Sequence, residues 1–258
     1  MVLKKKHIQD ITKIMRVEEE MIRLLPKLQS KTNTMNPWVK QLPGIFRGLK
    51  FEKGLSILDI PCGEGGVSVP LAENYGVKVL GFDILPDYIQ NANKFARKLG
   101  VQKPCRFRVG DIRNVVKSGN VCDVLLWIGA PHLWGKSKPT IKALRNCVKN
   151  GGLIFIGDAY LYPKSESGSF DDLETLDDTT KGYTSYGDEL IRLIDYRGKL
   201  WKEDYRRTRK SAQEALKKTD NKKDQKIIRK YLKSLDTDEK TETECLGLAI
   251  WILEVNKT

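Results

Sequence analysis

Ile57-Leu58-Asp59-Ile60-Pro61-Cys62-Gly63-Glu64-Gly65-Gly66 is the stretch whose reading decides the fold: an apolar run meets a carboxylate and then breaks into glycines. A short apolar run bounded by glycines reads as a buried strand that stops at a turn. Gly63 and Gly65 remove the Cβ atoms that would hold a backbone away from a bound molecule, and they permit dihedrals that other residues avoid. Asp59 sets an acidic side chain beside that turn.

Outward from this stretch, strands and helices alternate. Ser56 to Ile60 reads as a strand, Gly66 to Tyr75 as a helix, Val77 to Phe82 as a strand closed by Asp83, and Pro86 to Leu99 as a helix stopped by Gly100. Cys105 to Val109 and Val121 to Ile128 supply two further strands, Lys138 to Val148 a helix, Asn150-Gly151-Gly152 a tight turn, and Leu153 to Gly157 a fifth strand followed by Asp158. Near-continuous apolar strands joined by helices imply an α/β fold, a doubly wound, mostly parallel sheet with helices on both faces. Upstream, His7 to Gln29 has helical apolar spacing with Pro26 bending or ending it. Asn33 to Gly54 reads as an irregular link in which Trp38, Leu42, Ile45 and Phe46 pack. Downstream, Pro163 to Tyr186 is rich in Ser, Gly, Asp and Thr and reads as a long exposed loop; Gly187 to Asp195 is expected to be helical, with a short strand near Leu200. Two basic helices then precede a final apolar strand, Leu246 to Val255, expected at the sheet edge. The expected organisation is thus 1–50 as N-terminal helix and lid, 51–162 as the doubly wound α/β core, 163–245 as an acidic loop with a basic helical insertion, and 246–258 as the strand completing the sheet.

The chain has 258 residues, 40% of them hydrophobic, which suits an ordinary globule with a sizeable core. No stretch approaches the roughly 20 apolar residues that span a bilayer, and the basic start Met1-Val2-Leu3-Lys4-Lys5-Lys6 is not followed by an apolar run, so a cytoplasmic protein is expected. Five scattered cysteines without a C-x-x-C pair and only two histidines, His7 and His132, argue against a metal centre. The net charge of +13 is concentrated late: Arg197 to Lys233 holds 15 Lys or Arg against 5 Asp or Glu. Such a segment serves either as a footprint for RNA or another polyanion, or as two amphipathic helices with solvated faces that cover a site or form a dimer contact. The interspersed acids favour the second.

In doubly wound sheets a ligand sits at the carboxyl ends of the strands. The first three strands here end in Asp59, Asp83 and Asp111, and three such carboxylates need donors or a cation to be stable together. Asp83 follows Gly63 by 20 residues, the separation at which an acid meets ribose hydroxyls. Ser68 stands where a dinucleotide fingerprint needs Gly or Ala, and a pyrophosphate would be repelled by Asp59, whereas an aminoacyl group and a sulfonium would not.

On these residues the chain resembles the class I S-adenosylmethionine-dependent methyltransferases over about Phe51 to Tyr162, with Val148-Lys149-Asn150-Gly151-Gly152-Leu153 similar to that family's loop before the fifth strand. The resemblance implies S-adenosylmethionine as cofactor, held by Asp59, Pro61, Gly63 and Gly65 at the glycine turn, by Asp83 and Ile84 at the ribose, by Asp111 and Ile112 at the adenine, and by Trp127 and Ile128 at the end of the fourth strand. Pro61 is a departure, since the family usually has glycine there. The stretch Ile128 to Gly135 with Leu246 to Ile250 is similar to small-molecule members, and the Asn or Asp-Pro-Pro-aromatic motif of base-modifying members is absent. The implied function is methyl transfer to a small-molecule nucleophile under a lid drawn from the N-terminal helix and the segment after Asp158. His132 is the candidate base because it follows the fourth strand. Two alternatives stand: an RNA or protein methyltransferase using the basic helices, and a cofactor-binding partner subunit without catalysis.

Overall fold

The computed structural model describes residues 3–15, 17–29, 41–49, 52–129, 133–163 and 170–257. In chain order the elements are α1 (Lys5–Met15), α2 (Glu19–Ile22), α3 (Leu25–Gln29), α4 (Leu42–Arg47), β1 (Ser56–Asp59), α5 (Ser68–Tyr75), β2 (Lys78–Asp83), α6 (Pro86–Lys98), β3 (Cys105–Val109), α7 (Ile112–Lys117) and β4 (Cys122–Ile128). They continue with α8 (Ser137–Leu144), β5 (Val148–Leu161), α9 (Leu176–Tyr183), β6 (Glu189–Arg197), α10 (Trp201–Lys218), α11 (Lys222–Cys245) and β7 (Leu246–Glu254).

The sheet order is β3-β2-β1-β4-β5-β7-β6, parallel from β3 through β5, with β7 antiparallel to both neighbours. Strand order reverses between β1 and β4, so the cleft expected of a doubly wound sheet opens above Asp59. One apolar layer, around Ile57, Val79, Leu126 and Phe155, is closed by α4, α5 and α6. The other, around Leu58, Leu125, Trp127 and Ile156, is closed by α7, α8 and α9. A third cluster joins α1, α2 and α3 to Ala212 of α10, Ile228 of α11, and Leu85 and Tyr88 where α6 begins.

Six readings differ in the structure. His7 to Gln29 is three helices, and Pro26 lies in the first turn of α3, where a missing N–H costs nothing. Leu42, Ile45 and Phe46 do pack, but from the helix α4, while Trp38 lies outside the described residues. The stretch taken as an exposed loop contains α9, whose Tyr183 is buried. Gly187 to Asp195 is not a helix; β6 occupies it and forms the sheet edge, and residues 198–200 form a 3₁₀ turn. β7 lies inside the sheet, not at its edge: its backbone pairs with β5 on one side and β6 on the other, and nearly every side chain along it is buried in the two face layers. The insertion before β7 is therefore smaller than 163–245: the α10–α11 hairpin.

Candidate functional site

The site is built where β1 ends. Asp59 pairs in register with Gly81 on β2 and Leu126 on β4, and the turn beyond it is fixed by Ile60 N–H to Leu126 O (3.1 Å) and Cys62 N–H to Phe82 O (2.9 Å). The Ile60–Pro61 peptide is cis. Gly63 and Gly65 have φ of +50° and +74°. Around Gly63 nothing stands within 4 Å of where a Cβ would be, so the turn offers open space on that side. At Gly65 a Cβ would lie 2.8 Å from Val69 Cγ2, so helix α5 can approach only because the side chain is absent.

Asp83 organises this turn. One carboxylate oxygen accepts the N–H of Gly63 (3.0 Å) and the other that of Leu85 (2.9 Å). Its side chain is buried, and burial pushes its carboxyl up to about 6 against the pull of those N–H donors. Asp59 is also buried. Burial drives it up to about 7, with Ser68 pulling down and the Asp83 charge pushing further up. Asp59 Oδ2, Ser68 Oγ and Glu64 Oε2 are buried atoms without a hydrogen-bond partner of proper geometry, although Glu64 Oε1 accepts Asn91 Nδ2–H (2.6 Å). Buried polar atoms are rarely left unpaired unless a ligand or water meets them. Three acceptors gathered on one glycine turn fit a group carrying ammonium and hydroxyl donors, which S-adenosylmethionine supplies through its amino-acid and ribose parts.

Asp111 is differently placed. It caps α7 by accepting the N–H of Arg113 (3.0 Å), receives the Arg113 guanidinium on both oxygens, and faces His7 Nε2 at 3.3 Å. Burial raises its carboxyl, but Arg113 and His7 outweigh that and hold it below the ordinary value. Arg113 also pairs with Asp10 (2.8 Å), so α1 is fastened directly over the expected adenine position. Ile84 packs in the third cluster and Ile112 in the layer under α7. Trp127 and Ile128, adjacent on β4, point to opposite faces; the Trp127 ring sits 5.2 Å from that of Trp134 and its Nε1 has no partner. Thus Asp59, Pro61, Gly63, Gly65 and Asp83 meet in one place, Asp111 and Ile112 stand on its flank, and His132 lies outside the described residues.

Sequence reasoning missed several contributors. Gly81 is one: a Cβ there would be 2.5 Å from the Phe107 ring and 2.9 Å from Cys62 Cβ, so the turn can lie on β2 only with glycine. The strand glycine in Val79-Leu80-Gly81-Phe82 was its signal. A polar cluster around Asp158, near the end of β5, is another. Asp158 accepts Tyr183 Oη–H (3.0 Å), and Glu174 accepts the N–H and hydroxyl of Ser137 (2.8 and 2.6 Å), lining a small recess with Thr140 and Thr179.

A methyltransferase-domain family model matches residues 51–231. The chain is 29% identical over 119 residues to norajmaline N-methyltransferase of Rauvolfia serpentina, covering 45% of this chain and 41% of that protein. It is 27% identical over 139 residues to the uncharacterised protein YjhP of Escherichia coli strain K12, covering 54% and 56%. The chain therefore spans about half the length of these relatives. In fold it is similar to a methyltransferase of Geobacter sulfurreducens solved with S-adenosyl-L-homocysteine, with a TM-score of 0.78 at 22% identity over 91% of this chain and 98% of that one. With the family model covering well over half its length and the glycine turn, carboxylates and strand order in place, the chain belongs to the methyltransferase-domain family, in its class I, S-adenosylmethionine-dependent form.

Proposed function

We propose that the chain transfers a methyl group to a small-molecule nucleophile. The observation that carries the reading is the set of buried polar atoms around the glycine turn, Asp59 Oδ2, Glu64 Oε2 and Ser68 Oγ, that lack a hydrogen bond of proper geometry beside Asp83. When bound, S-adenosylmethionine supplies a methyl group on an electrophilic sulfonium. The protein then has to align an acceptor and exclude water. Asp59 and Ser68 would receive the amino-acid end, Asp83 the ribose hydroxyls, and Gly63 would let the backbone approach. Asp111, already satisfied by Arg113 and His7, shapes the adenine side through the α7 N-terminus instead of offering a free carboxylate.

A small acceptor is favoured by the cover. From one face of α1, His7 and Asp10 reach Asp111 and Arg113 after β3, while Lys13 reaches Asp172 (2.6 Å), in the segment after β5. The helix lies like a strap over the carboxyl ends of the intervening strands, where a bulky polymer would have to displace it. The norajmaline N-methyltransferase relationship supports the same reading. His132, four residues beyond β4 in the sequence, remains the proposed base.

Calorimetric titration with S-adenosylmethionine tests the cofactor site: Asp83→Ala is expected to abolish binding, and unchanged affinity would overturn the ribose assignment. Incubation of wild-type protein with S-adenosylmethionine and dialysable metabolites is expected to release S-adenosylhomocysteine as the acceptor is methylated. Release only from the RNA or protein fraction would overturn the small-molecule acceptor.

A further inference from the structure

We infer that the outward face of the α10–α11 hairpin is a docking surface for the phosphate backbone of a nucleic acid duplex. The linear sequence mixes acids among the bases of this segment, but folding separates them. On α11, Asp224 turns inward to Arg23 of the N-terminal helices (2.5 Å), Asp236 and Glu239 pair with Arg209 (2.9 and 2.7 Å), and Glu242 accepts the Tyr205 hydroxyl (2.7 Å). These four acids are drawn into contacts with the hairpin and the N-terminal helices, while Asp220, two residues before α11, stays exposed.

The bases are left outside. Lys222, Lys226, Arg229 and Lys233 recur at about one helical turn each and are all exposed, forming a row of roughly 16 Å along α11. Lys210 and Lys217 form a second exposed row on α10, which runs alongside at the ordinary separation of packed helices, about 8–10 Å. Among the described residues, Lys210, Lys217, Lys222, Lys226 and Lys233 form no ion pair. Lys223 and Lys230, on the flank, pair with Glu20 of α2 and with Glu18 just before it, and mark where the basic face ends.

The composition of this face selects the partner. It carries no exposed apolar side chain to insert into lipid and no exposed aromatic ring on which a single-stranded base could stack. What remains is two rows of flexible cations, suited to paired lines of phosphates and to sequence-independent, salt-dependent contact. The hairpin's inner side packs through Ala212 and Ile228 onto the helices that cover the cofactor cleft, so the surface is presented on the outside of that cover and is separate from the acceptor site.

The test is fluorescence anisotropy of the full chain with a labelled mixed-sequence DNA duplex of about 20 base pairs. For about five phosphate contacts, affinity is expected to fall about 500-fold between about 50 and about 200 mM salt. The variant Lys222→Gln/Lys226→Gln/Arg229→Gln/Lys233→Gln is expected to lower the salt slope by about 3 to 4 while thermal melting and S-adenosylmethionine binding stay unchanged. A matched variant on α6 and beyond it, Lys94→Gln/Arg97→Gln/Lys98→Gln/Lys103→Gln, is expected to keep the wild-type slope. Absence of duplex binding at the lower salt, an equal loss in the α6 variant, or tighter binding to phosphatidylserine-containing vesicles than to the duplex would each overturn the inference.

Discussion

Asp59 and Asp83 share one cause of perturbation and differ in what meets them. Both carboxyls are raised by burial, Asp59 to about 7 and Asp83 to about 6, yet Asp83 accepts two backbone N–H groups while Asp59 Oδ2 accepts none. A carboxyl raised in the folded state holds its proton after the unfolded chain has lost it, so over that window the native state binds more protons and stability falls as pH rises. The cofactor-free protein should therefore lose a few kcal/mol between about pH 4 and about pH 7, and Asp59→Asn should flatten that decline in chemical denaturation measured across the range. A cationic ligand group beside Asp59 favours its ionised form. S-adenosylmethionine binding near pH 6 should accordingly release a proton, seen as a buffer-dependent calorimetric enthalpy that Asp59→Asn removes. These acids were legible because their positions at successive strand ends are written in the chain. Gly81 was not: only the fold shows that a Cβ there would meet the Phe107 ring at 2.5 Å. Gly81→Ala should cost about 1–3 kcal/mol in stability and weaken cofactor binding, because the glycine turn rests on that strand.

At the scale of elements, local regularity decided what could be read. β1, β2 and β4 were recoverable as short, mainly apolar runs, and β3 as the alternation Cys105-Arg106-Phe107-Arg108-Val109, each stopped by an acid or glycine. β6 was misread because its pairing with β7 shifts register between Leu190 and Arg192 and again between Asp195 and Arg197. Each bulge breaks the two-residue alternation and leaves Leu190, Ile191, Leu193 and Ile194 at helical spacing. For α9 a signal existed: Thr175 caps the helix by accepting the N–H of Asp178 (3.2 Å), a Thr-x-x-Asp start hidden in a polar stretch. α1 was expected as a lid, but not how it is held. Its middle is held by the partly buried pair Asp10 with Arg113 and its last turn by the exposed pair Lys13 with Asp172, contacts of the kind that contribute about 0.5 kcal/mol each. Asp10→Ala with Lys13→Ala should therefore loosen the strap by about 1 kcal/mol, seen as a roughly fivefold loss of amide-exchange protection over residues 5–15 with the sheet unaffected.

Across the whole molecule, the order β5-β7-β6 means that the last strand of the chain fills a slot between two earlier ones. The sheet is complete only when residues 246–254 enter it. One buried knot secures that closure. Arg145, just after α8, donates through Nε and Nη2 to Asp188 (2.9 and 2.8 Å) and through Nη2 to the carbonyl of Asn256 (2.7 Å), while Asp188 also accepts the Asn256 N–H (3.1 Å). The Asp188 side chain is 0% exposed and stands one residue before β6. It thereby ties α8, the edge strand and the end of β7 together. Removing one partner of such a pair leaves the other charge buried and uncompensated. Asp188→Ala should cost about 3 kcal/mol and lower the melting temperature by about 6–12 °C. Asp188→Asn, which keeps the shape and one acceptor, should cost less. Because the knot lies at the end of the strands opposite the glycine turn, calorimetric affinity for S-adenosylmethionine well below the melting temperature should match wild type. A fall in affinity equal to that of an Asp83 variant would show that the two ends of the sheet are coupled and that closure by β7 sets the geometry of the site.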